Sequence, residues 1–511
     1  MIRIDSKLAA TALVMALLAI YALIILRNAW VGDDAYITFR AVDNFVNGFG
    51  LRWNIDERVQ TYTHPLWLFA MTAVYVFTRE AFYTSIFLSV AVSLAAVAVV
   101  AFKAARSTAA ACLGIAVLAL SKGFVDYSTS GLENPLSHLL IAVFFWLYYK
   151  TEDSETSPWL LSLVAALMAL SRMDIILLTL PALGCVFWKN RSLCTVKGIA
   201  LGFSPFILWE AFSFFYYGFL FPNTAYSKLN TGIPWHDLVG QGLYYLWNSI
   251  MVDPITLTVI AGAVIAAAIS RRERHVMVGI GILLYLTYVI RIGGCFMTGR
   301  LLTAPLLCAV IALSQFRPTW RPKLLVPAAA AILILGLISG YSPVYTTSDY
   351  GGETERYTFA RGIADERGWY FPSSSLLNID PYGTMPNHRY VERGRRASGP
   401  VIATITLGYY GYFAPRQTHI VDAYGLADPL LSRLPVRTDV PWRIGHFERI
   451  EPEGYYETLL SGENQIADPK LAEYYSAIAF VTRGSLFDFR RILTAVKLNL
   501  GIYDDLIRSY W

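Results

Sequence analysis

Two adjacent carboxylates, Asp33 and Asp34, follow the first long apolar segment of the chain, residues 8–26. A carboxylate at the end of a membrane-spanning helix lies between lipid and water. An enzyme that joins a lipid-borne donor to a water-borne acceptor needs a general base at this depth, because the acceptor hydroxyl must lose its proton. The pair could instead cap the start of a loop, or it could ligate a divalent cation.

The composition places these carboxylates in an integral membrane protein. Of the 511 residues, 55% are hydrophobic and 15% are charged, whereas soluble domains carry roughly 25% charged residues. The formal net charge of +5 is attributed to the Lys and Arg residues that membrane proteins carry in their cytoplasmic loops. No nucleic-acid partner is expected. Residues 8–26 are interpreted as an uncleaved membrane anchor.

Eleven apolar stretches are suitable for membrane helices. They are residues 8–26, 82–102, 107–121, 136–149, 158–170, 174–188, 197–215, 254–270, 275–290, 301–315 and 324–341. Residues 65–77 are apolar but shorter, and are interpreted as a re-entrant or juxtamembrane helix. With this assignment the basic connections all fall on the side of the N-terminus, as the positive-inside rule requires. They carry Lys103, Arg106, Lys150, Lys189, Arg191, Arg271, Arg272, Arg274, Arg317, Arg321 and Lys323.

The predicted fold is therefore an α-helical multi-span membrane protein of about 11 transmembrane helices, with a cytoplasmic N-terminus. The character of the chain changes near Gly340. We predict a transmembrane catalytic domain over residues 1–341 and an extracytoplasmic α/β domain over residues 342–511. In the latter, residues 401–405 and 419–421 are predicted as short buried strands separated by a turn, and residues 471–479 and 487–498 as helices. The five cysteines show no metal-ligand spacing and are interpreted as packing residues.

The connections predicted to face outward carry most of the residues that could do chemistry. These are Asp33, Asp34, Tyr62, His64, Lys122, Asp126, Glu133, Arg172, Asn223, Lys228 and Arg300. Some have simpler explanations: Arg172 could pair locally with Asp174, and Glu133 could cap a helix that begins near Pro135. Lys228 and Arg300 could be interfacial residues whose stems lie along lipid. Taken together, they favour a cavity for a phosphate-linked polar group.

Several motifs resemble those of a known superfamily. The first loop reads DDAYI at 33–37, NGFGLRWN at 47–54 and VQTYTHPLW at 59–67, and is similar to that of the GT-C glycosyltransferases. Within that superfamily, the chain most resembles the arabinofuranosyltransferase B-like branch. The motifs that carry this resemblance are SGLE at 130–133, PNTAY at 222–226, GG at 293–294, GR at 299–300, VDAYGLADP at 421–429 and RIGH at 443–446. The resemblance covers most of the chain.

The resemblance implies a transferase of the bacterial plasma membrane that uses a polyprenyl-phosphate sugar, with arabinofuranose expected first and mannose or another pentose as alternatives. The acceptor would be an extracytoplasmic glycan, lipid or protein, attacking in one displacement with inversion. Asp33 or Asp34 would be the base, and a divalent cation could assist. The donor phosphate would bind His64, Lys228, Arg300 and Arg172. The acceptor or cavity would be lined by Glu133, Tyr62, Asn223, Asp422 and His446.

Three other classes remain open at this point. A transporter or flippase of lipid-linked sugars would need polar residues at mid-membrane, whereas most charges here lie at helix ends. A polysaccharide polymerase or ligase would share the topology, but the acidic pair argues against it. A structural scaffold would not need so many outward charges. The aromatic residues of the tail, among them Tyr409, Tyr412 and Trp442, could stack on an acceptor glycan or form its core.

Overall fold

The computed structural model describes residues 6–150, 158–229, 231–316, 322–346, 359–380, 383–437 and 439–511. Its helices before the tail are α1 (Ser6–Arg27), α2 (Asp33–Val46), α3 (Pro65–Thr78), α4 (Phe82–Val99), α5 (Thr108–Leu120), α6 (Lys122–Asp126), α7 (Asn134–Lys150), α8 (Pro158–Ser171), α9 (Leu180–Lys189), α10 (Leu193–Gly202), α11 (Ser204–Tyr217), α12 (Asn223–Leu229), α13 (Trp235–Val252), α14 (Pro254–Ser270), α15 (Glu273–Arg291), α16 (Thr303–Ser314) and α17 (Pro322–Leu337). The tail contributes α18 (Glu366–Ser374), α19 (Arg389–Arg395), β1 (Val401–Thr404), α20 (Gly408–Phe413), β2 (His419–Asp422), α21 (Tyr455–Ser461), α22 (Pro469–Arg483) and α23 (Phe489–Asn499). A π-helical turn, Val100–Ala104, continues α4.

Helices lie at all eleven predicted apolar stretches, but fewer are long enough to cross a membrane unaided. In the described part of the chain, three helices have the required length and hydropathy: Lys7–Arg27, Phe82–Ala104 and Glu273–Arg291. Two bent pairs, α10 with α11 and α13 with α14, pass the same test when each is taken as one span. The protein is thus a membrane protein with several apolar helices, and the count of eleven spans stays a prediction. Of the basic connections, Arg317 and Arg321 lie outside the described residues.

The chain folds into two compact units, each built from separate stretches of sequence. Unit 1 comprises Met1–Gly32, Phe82–Pro205 and His236–Met385, and unit 2 comprises Asp33–Ala81, Phe206–Trp235 and Pro386–Trp511. The first loop therefore belongs to the same unit as the end of the chain, although nearly the whole of unit 1 separates them in sequence. The units cut across the boundary predicted at residue 341.

Helix α2 carries the acidic pair at its first turn. Asp33 and Asp34 are its first two residues, where negative charge is favoured by the helix dipole. Tyr36, Phe39 and Val42 recur at helical spacing and are buried. The helix ends before Gly48, whose φ of 86° is the left-handed conformation that glycine adopts without strain. These local signals fix the orientation of both carboxylates at one helix end.

The strands predicted in the tail are present, but their connection differs from the prediction. β1 and β2 pair in parallel, with Val401 opposite His419 and Thr404 opposite Asp422. Parallel strands cannot be joined by a tight turn, because the chain must return to the same end of the sheet. The crossover contains α20, a helix that the sequence analysis did not predict. The two predicted tail helices are confirmed as α22 and α23.

The region from 216 to 253, which lies between two of the predicted apolar stretches, contains two further helices, α12 and α13. α13 was missed because its polar residues interrupt the apolar run. Gln241, Asn248 and Ser249 are buried on the same helix as the exposed Leu243 and Trp247. Its apolar and polar residues recur with the helical period instead of forming a continuous stretch.

Candidate functional site

Asp33 is held by the backbone of helix α20. The amide N–H of Tyr409 donates to its Oδ1 at 2.8 Å, and the amide of Gly408 donates to its Oδ2 at 3.2 Å. Both groups lie at the first turn of α20, where N–H groups lack partners within the helix. The side chain of Asp33 therefore anchors α2 to the tail of unit 2. Nothing in the local sequence pointed to Gly408 and Tyr409, which lie 375 and 376 residues away.

Asp34 differs from its neighbour. Its carboxylate makes no hydrogen bond or ion pair with any residue in the described ranges, and it is partly exposed. One turn along the same face of α2 lies Thr38, whose Oγ1 is 2.8 Å from Nε2 of His64. Asp34 is thus a carboxylate without a hydrogen bond or ion pair in the described ranges, on a face of α2 that contacts the start of α3.

Gly408 allows this approach between α2 and α20. A Cβ added there would lie 1.8 Å from the carbonyl oxygen of Asp33 and 2.6 Å from its Cγ. We expect Gly408→Ala to destabilise the protein by about 1–3 kcal/mol, because backbone must shift to relieve the overlap. It should also displace Asp33 and slow any reaction at the site. Thermal unfolding of the purified protein measures the first effect. Gly184→Ala is the matched control, since nothing lies within 4 Å of that position.

The pKa of Asp33 predicts a pH dependence of stability. Burial raises the pKa of this carboxyl to about 7 from 3.8, the amide of Tyr409 opposes the rise, and the charge of Asp34 adds to it. The folded protein then holds a proton on Asp33, between about pH 4 and pH 7, that the unfolded chain has released. Stability from this group is greatest at the acidic end of that window and is lost as the pH rises through about 7.

Asp33→Asn should therefore flatten the fall in the unfolding midpoint between about pH 4 and pH 7, because asparagine does not titrate in this window. The measurement is a series of thermal unfolding midpoints for the wild type and the variant in the same detergent. Equal slopes for the two proteins would contradict a raised pKa at Asp33.

In unit 1, Glu133 joins two of the predicted phosphate ligands. Its carboxylate accepts Nη1 of Arg172 at 3.0 Å and Nη2 of Arg300 at 2.9 Å. Arg172 also pairs with Asp174 through two parallel hydrogen bonds of 3.0 and 2.6 Å. The side chain of Glu133 is only 1% exposed. Both arginines are thus neutralised internally, and the local pairing of Arg172 with Asp174 is confirmed.

Unit 1 contains a second buried network of ion pairs, of which the sequence predicted two members. Nζ of Lys122 pairs with Oδ2 of Asp126 and lies 3.0 Å from Oδ1 of Asp365. Nε of Arg367 lies 2.8 Å from Oδ1 of Asp126. The sequence singled out Lys122 and Asp126 but not their partners. Two positive and two negative groups, each at most 3% exposed, balance one another. This network stabilises unit 1 and does not present an unpaired charge.

Asn223 and Asp422, both predicted to line a cavity, have internal partners instead. The amide nitrogen of Asn223 donates to the carbonyl groups of Gly425, Leu426 and Asp428 at 2.9–3.2 Å. Asp422 is fully buried and accepts the amides of Tyr424, Leu426 and Ala427. These two side chains hold the loop after β2 in place, and their part in a substrate cavity stays a prediction.

Tyr62, His446 and Lys228 differ in their surroundings. The hydroxyl of Tyr62 lies 2.7 Å from that of Tyr217, and both rings are buried. Burial, together with the charge of Arg443, lowers the pKa of His446 to about 3, so this imidazole is neutral at physiological pH. Lys228, in the last turn of α12, is exposed and forms no ion pair with any residue of the described ranges. It is the predicted phosphate ligand in unit 2 that carries an available positive charge.

The aromatic residues near Asp33 form core. Tyr36 of α2 packs edge-on against Tyr409 and Tyr412 at centroid distances of 4.9 and 5.0 Å. Tyr409 is fully buried. Its ring therefore holds α20 against α2 and is not a platform for a glycan.

The residues present do not suggest a built metal site. Within the described ranges, no group of three or more His, Cys, Asp or Glu side chains could hold a metal ion. The oxygens of Asp33 accept two amide hydrogen bonds, which leaves Asp34 as the carboxylate open to a cation. One carboxylate provides few of the six or more oxygen ligands that hard divalent cations take.

Two known glycosyltransferases are similar to this chain over most of its length. The terminal β-(1→2)-arabinofuranosyltransferase of Mycobacterium tuberculosis is 25% identical over 531 residues, which cover 84% of this chain and 82% of the relative. The enzyme of the same name from Corynebacterium glutamicum is 24% identical over 534 residues, covering 83% of this chain and 74% of that protein. The chain is a homologue of terminal arabinofuranosyltransferases. No protein-family model matches it.

These comparisons confirm two expectations. The resemblance to the arabinofuranosyltransferase-like branch of the GT-C superfamily is supported over most of the chain, and glycosyltransferase is the enzyme class that follows. The similarity spans both units, since more than four fifths of the chain is covered. Both the acidic pair of unit 2 and the Glu133 cluster of unit 1 therefore lie in a glycosyltransferase homologue.

Proposed function

We propose that the protein transfers an arabinofuranosyl residue from a polyprenyl-phosphate donor to an extracytoplasmic glycan, with Asp34 as general base. The observation that carries this proposal is the similarity to arabinofuranosyltransferases over 84% of the chain. The open carboxylate of Asp34, next to an anchored Asp33, supports the assignment of the base. A polyprenyl donor fits a protein with several apolar helices, because the lipid chain partitions into the bilayer.

The reaction needs one bond formed and one broken. An acceptor hydroxyl attacks the anomeric carbon, and its proton passes to Asp34. The bond between that carbon and the phosphate oxygen breaks, and the electron pair leaves with the phosphate. A nearby cation lowers the barrier by stabilising this developing charge. We assign this role to Lys228, since Arg172 and Arg300 are already paired with Glu133.

In this proposal the two arginines of unit 1 act mainly as a fixed scaffold. A phosphate would have to compete with a buried carboxylate for either guanidinium. His64, whose Nε2 is 2.8 Å from the hydroxyl of Thr38, orients the start of α3 against α2. The N-terminus is assigned to the cytoplasm, and the site to the opposite face of a bacterial plasma membrane, because the basic connections lie on the N-terminal side.

The stereochemistry of the product tests the proposed single displacement. One displacement inverts the anomeric carbon, so a β-linked product requires an α-linked donor phosphate. A β product from a β-linked donor requires two displacements and a protein nucleophile. Nuclear magnetic resonance of the product, made from a donor of known anomeric configuration, distinguishes the two courses. Retention would overturn the inverting mechanism but not the transferase assignment.

The experiment that tests the function uses full-length protein purified in detergent. It is given labelled polyprenyl-phosphate arabinofuranose and a synthetic arabinoside, with polyprenyl-phosphate mannose as a matched donor control. Transfer of arabinose alone is the expected result. Transfer of mannose would correct the sugar, and transfer only from a pyrophosphate-linked oligosaccharide would indicate a polymerase or ligase. Movement of the donor across reconstituted vesicles without product would indicate a flippase.

A further inference from the structure

A polar cavity of ≈ 510 Å³ lies in unit 1, away from the residues assigned above. It is lined by the π-helical turn that ends the candidate span Phe82–Ala104, by the start of α5, and by the ends of α7 and α16. Several helix ends thus meet around one space. A π-helical turn is a rare feature that often occurs at functional sites.

The cavity is basic. Lys103, Arg106 and Lys150 line it, and none of the described residues that line it is acidic. Arg106 is oriented from behind: its Nε donates to Oε1 of Gln315 at 2.9 Å, and its backbone amide donates to the carbonyl of Ser314 at 3.2 Å. Gln315 in turn donates to the carbonyl of Ala104. The guanidinium is therefore held in place by the two helix ends that it joins.

A helix N-terminus adds to this positive potential. Ser107, which also lines the cavity, caps α5 by accepting the amide of Ala110 at 3.2 Å. α5 is a helix of 13 residues, and the first N–H groups of a helix attract anions. The cations and the helix start favour the same ligand charge, and the orientation of Arg106 by Gln315 shows that the charge is positioned rather than merely present.

The remaining walls of the cavity are aromatic. Trp146, Tyr149 and Phe316 line the cavity, and the ammonium of Lys150 lies 5.7 Å from the centroid of the Trp146 ring. Phe102, next to Lys103, is 45% exposed at the end of an apolar span. Aromatic rings and basic side chains at the end of a membrane helix are typical of the depth at which lipid headgroups lie.

We propose that this cavity binds the phosphate headgroup of an anionic phospholipid from the leaflet on the basic side of the membrane. Three cations supply the charge, the start of α5 supplies backbone donors, and the rings contact the glycerol and the first methylene groups. The segments 151–157 and 317–321, which follow α7 and α16 in the sequence, lie outside the described residues.

The test uses delipidated, full-length protein in detergent, titrated with phosphatidylglycerol, phosphatidylcholine of the same acyl chains, and inorganic phosphate. The pocket variant is Lys103→Gln, Arg106→Gln, Lys150→Gln. Its control is Arg191→Gln, Lys197→Gln, Arg272→Gln, which removes three exposed positive charges from other parts of unit 1. A second variant, Lys103→Arg with Lys150→Arg, keeps the charge of the cavity.

Wild-type protein should bind phosphatidylglycerol about tenfold or more tightly than phosphatidylcholine. The pocket variant should lose this preference, while the control and the charge-preserving variant keep it. Equal binding of phosphatidylglycerol by the wild type and the pocket variant would overturn the proposal. Saturation by inorganic phosphate without any preference for phosphatidylglycerol would overturn the lipid assignment. The unfolding midpoint of each variant separates loss of the site from loss of the fold, and none of these readouts depends on sugar transfer.

Discussion

Asp34→Asn is expected to lower the rate of arabinosyl transfer by about 10²–10⁴-fold, the usual contribution of a positioned general base. Asparagine has nearly the same shape as aspartate but cannot accept the proton. Because the Asp34 carboxylate has no hydrogen bond within the described ranges, the change should leave the unfolding midpoint almost unaltered. The loss should appear in kcat, while binding of the donor is retained. Rates at saturating donor, with a parallel measurement of donor binding, provide the test.

Asp33→Asn is the matched comparison, since it makes the same chemical change one residue earlier. Its amide would place an NH₂ group against the N–H of Gly408 or of Tyr409, both of which now donate to the carboxylate. We expect a loss of about 1–3 kcal/mol in stability, because one of the two backbone N–H groups would lose its acceptor within buried surroundings. The rate of arabinosyl transfer should also fall, because α2 shifts when its contact with α20 is weakened. A fully stable Asp33→Asn protein without activity, beside an active Asp34→Asn protein, would reverse the two roles.

Glu133→Ala is expected to have the largest effect on stability, about 3–5 kcal/mol. The carboxylate is 1% exposed and lies between Arg172 and Arg300, whose side chains are 15% and 12% exposed. Removing it takes away the carboxylate that neutralises Arg300, while Arg172 keeps its pair with Asp174. The cost arises from the uncompensated positive charge more than from the lost attraction. Thermal unfolding in detergent, with the yield of folded protein, measures it.

Two further substitutions make this result interpretable. Glu133→Gln keeps the shape and one acceptor oxygen, so it should cost less than alanine but more than a surface change. Glu392→Gln removes a carboxylate whose ion pair with Arg396 is exposed, at 53% and 78%, and should change stability by less than about 1 kcal/mol. A Glu133→Ala protein as stable as Glu392→Gln would show that the two arginines have other compensation.

The motifs that carry the family resemblance meet one another in the structure. The segment with Glu133 contacts the segment with Arg300, 167 residues later. The segment with Asn223 contacts the loop at residues 425–428, about 200 residues later. Each pair joins a buried polar group to a partner that satisfies it, and a change on one side alone would leave a buried group unsatisfied.

The sequence by itself determined the elements and the chemical class. Continuous apolar stretches predicted helices at eleven places, and a helix lies at each of them. Helix α2 was not predicted, because its segment was treated as part of the first loop, although Tyr36, Phe39 and Val42 recur at helical spacing. Period and capping act within a few turns of chain, so they can be read locally. The motifs gave the resemblance to arabinofuranosyltransferases, which the comparisons confirm.

Tertiary structure decided which of these polar residues are engaged and which are open. Asp33 and Asp34 are indistinguishable in sequence, yet Asp33 accepts amides 375 and 376 residues away, and Asp34 has no such partner in the described ranges. Asn223 and Asp422, predicted to line a cavity, form hydrogen bonds with backbone groups of the tail loop. Partner choice at such separations depends on how the whole chain closes and on which polar groups lose water together. Local sequence patterns contain no information about such distant partners. The two carboxylates could therefore be distinguished only in the tertiary structure.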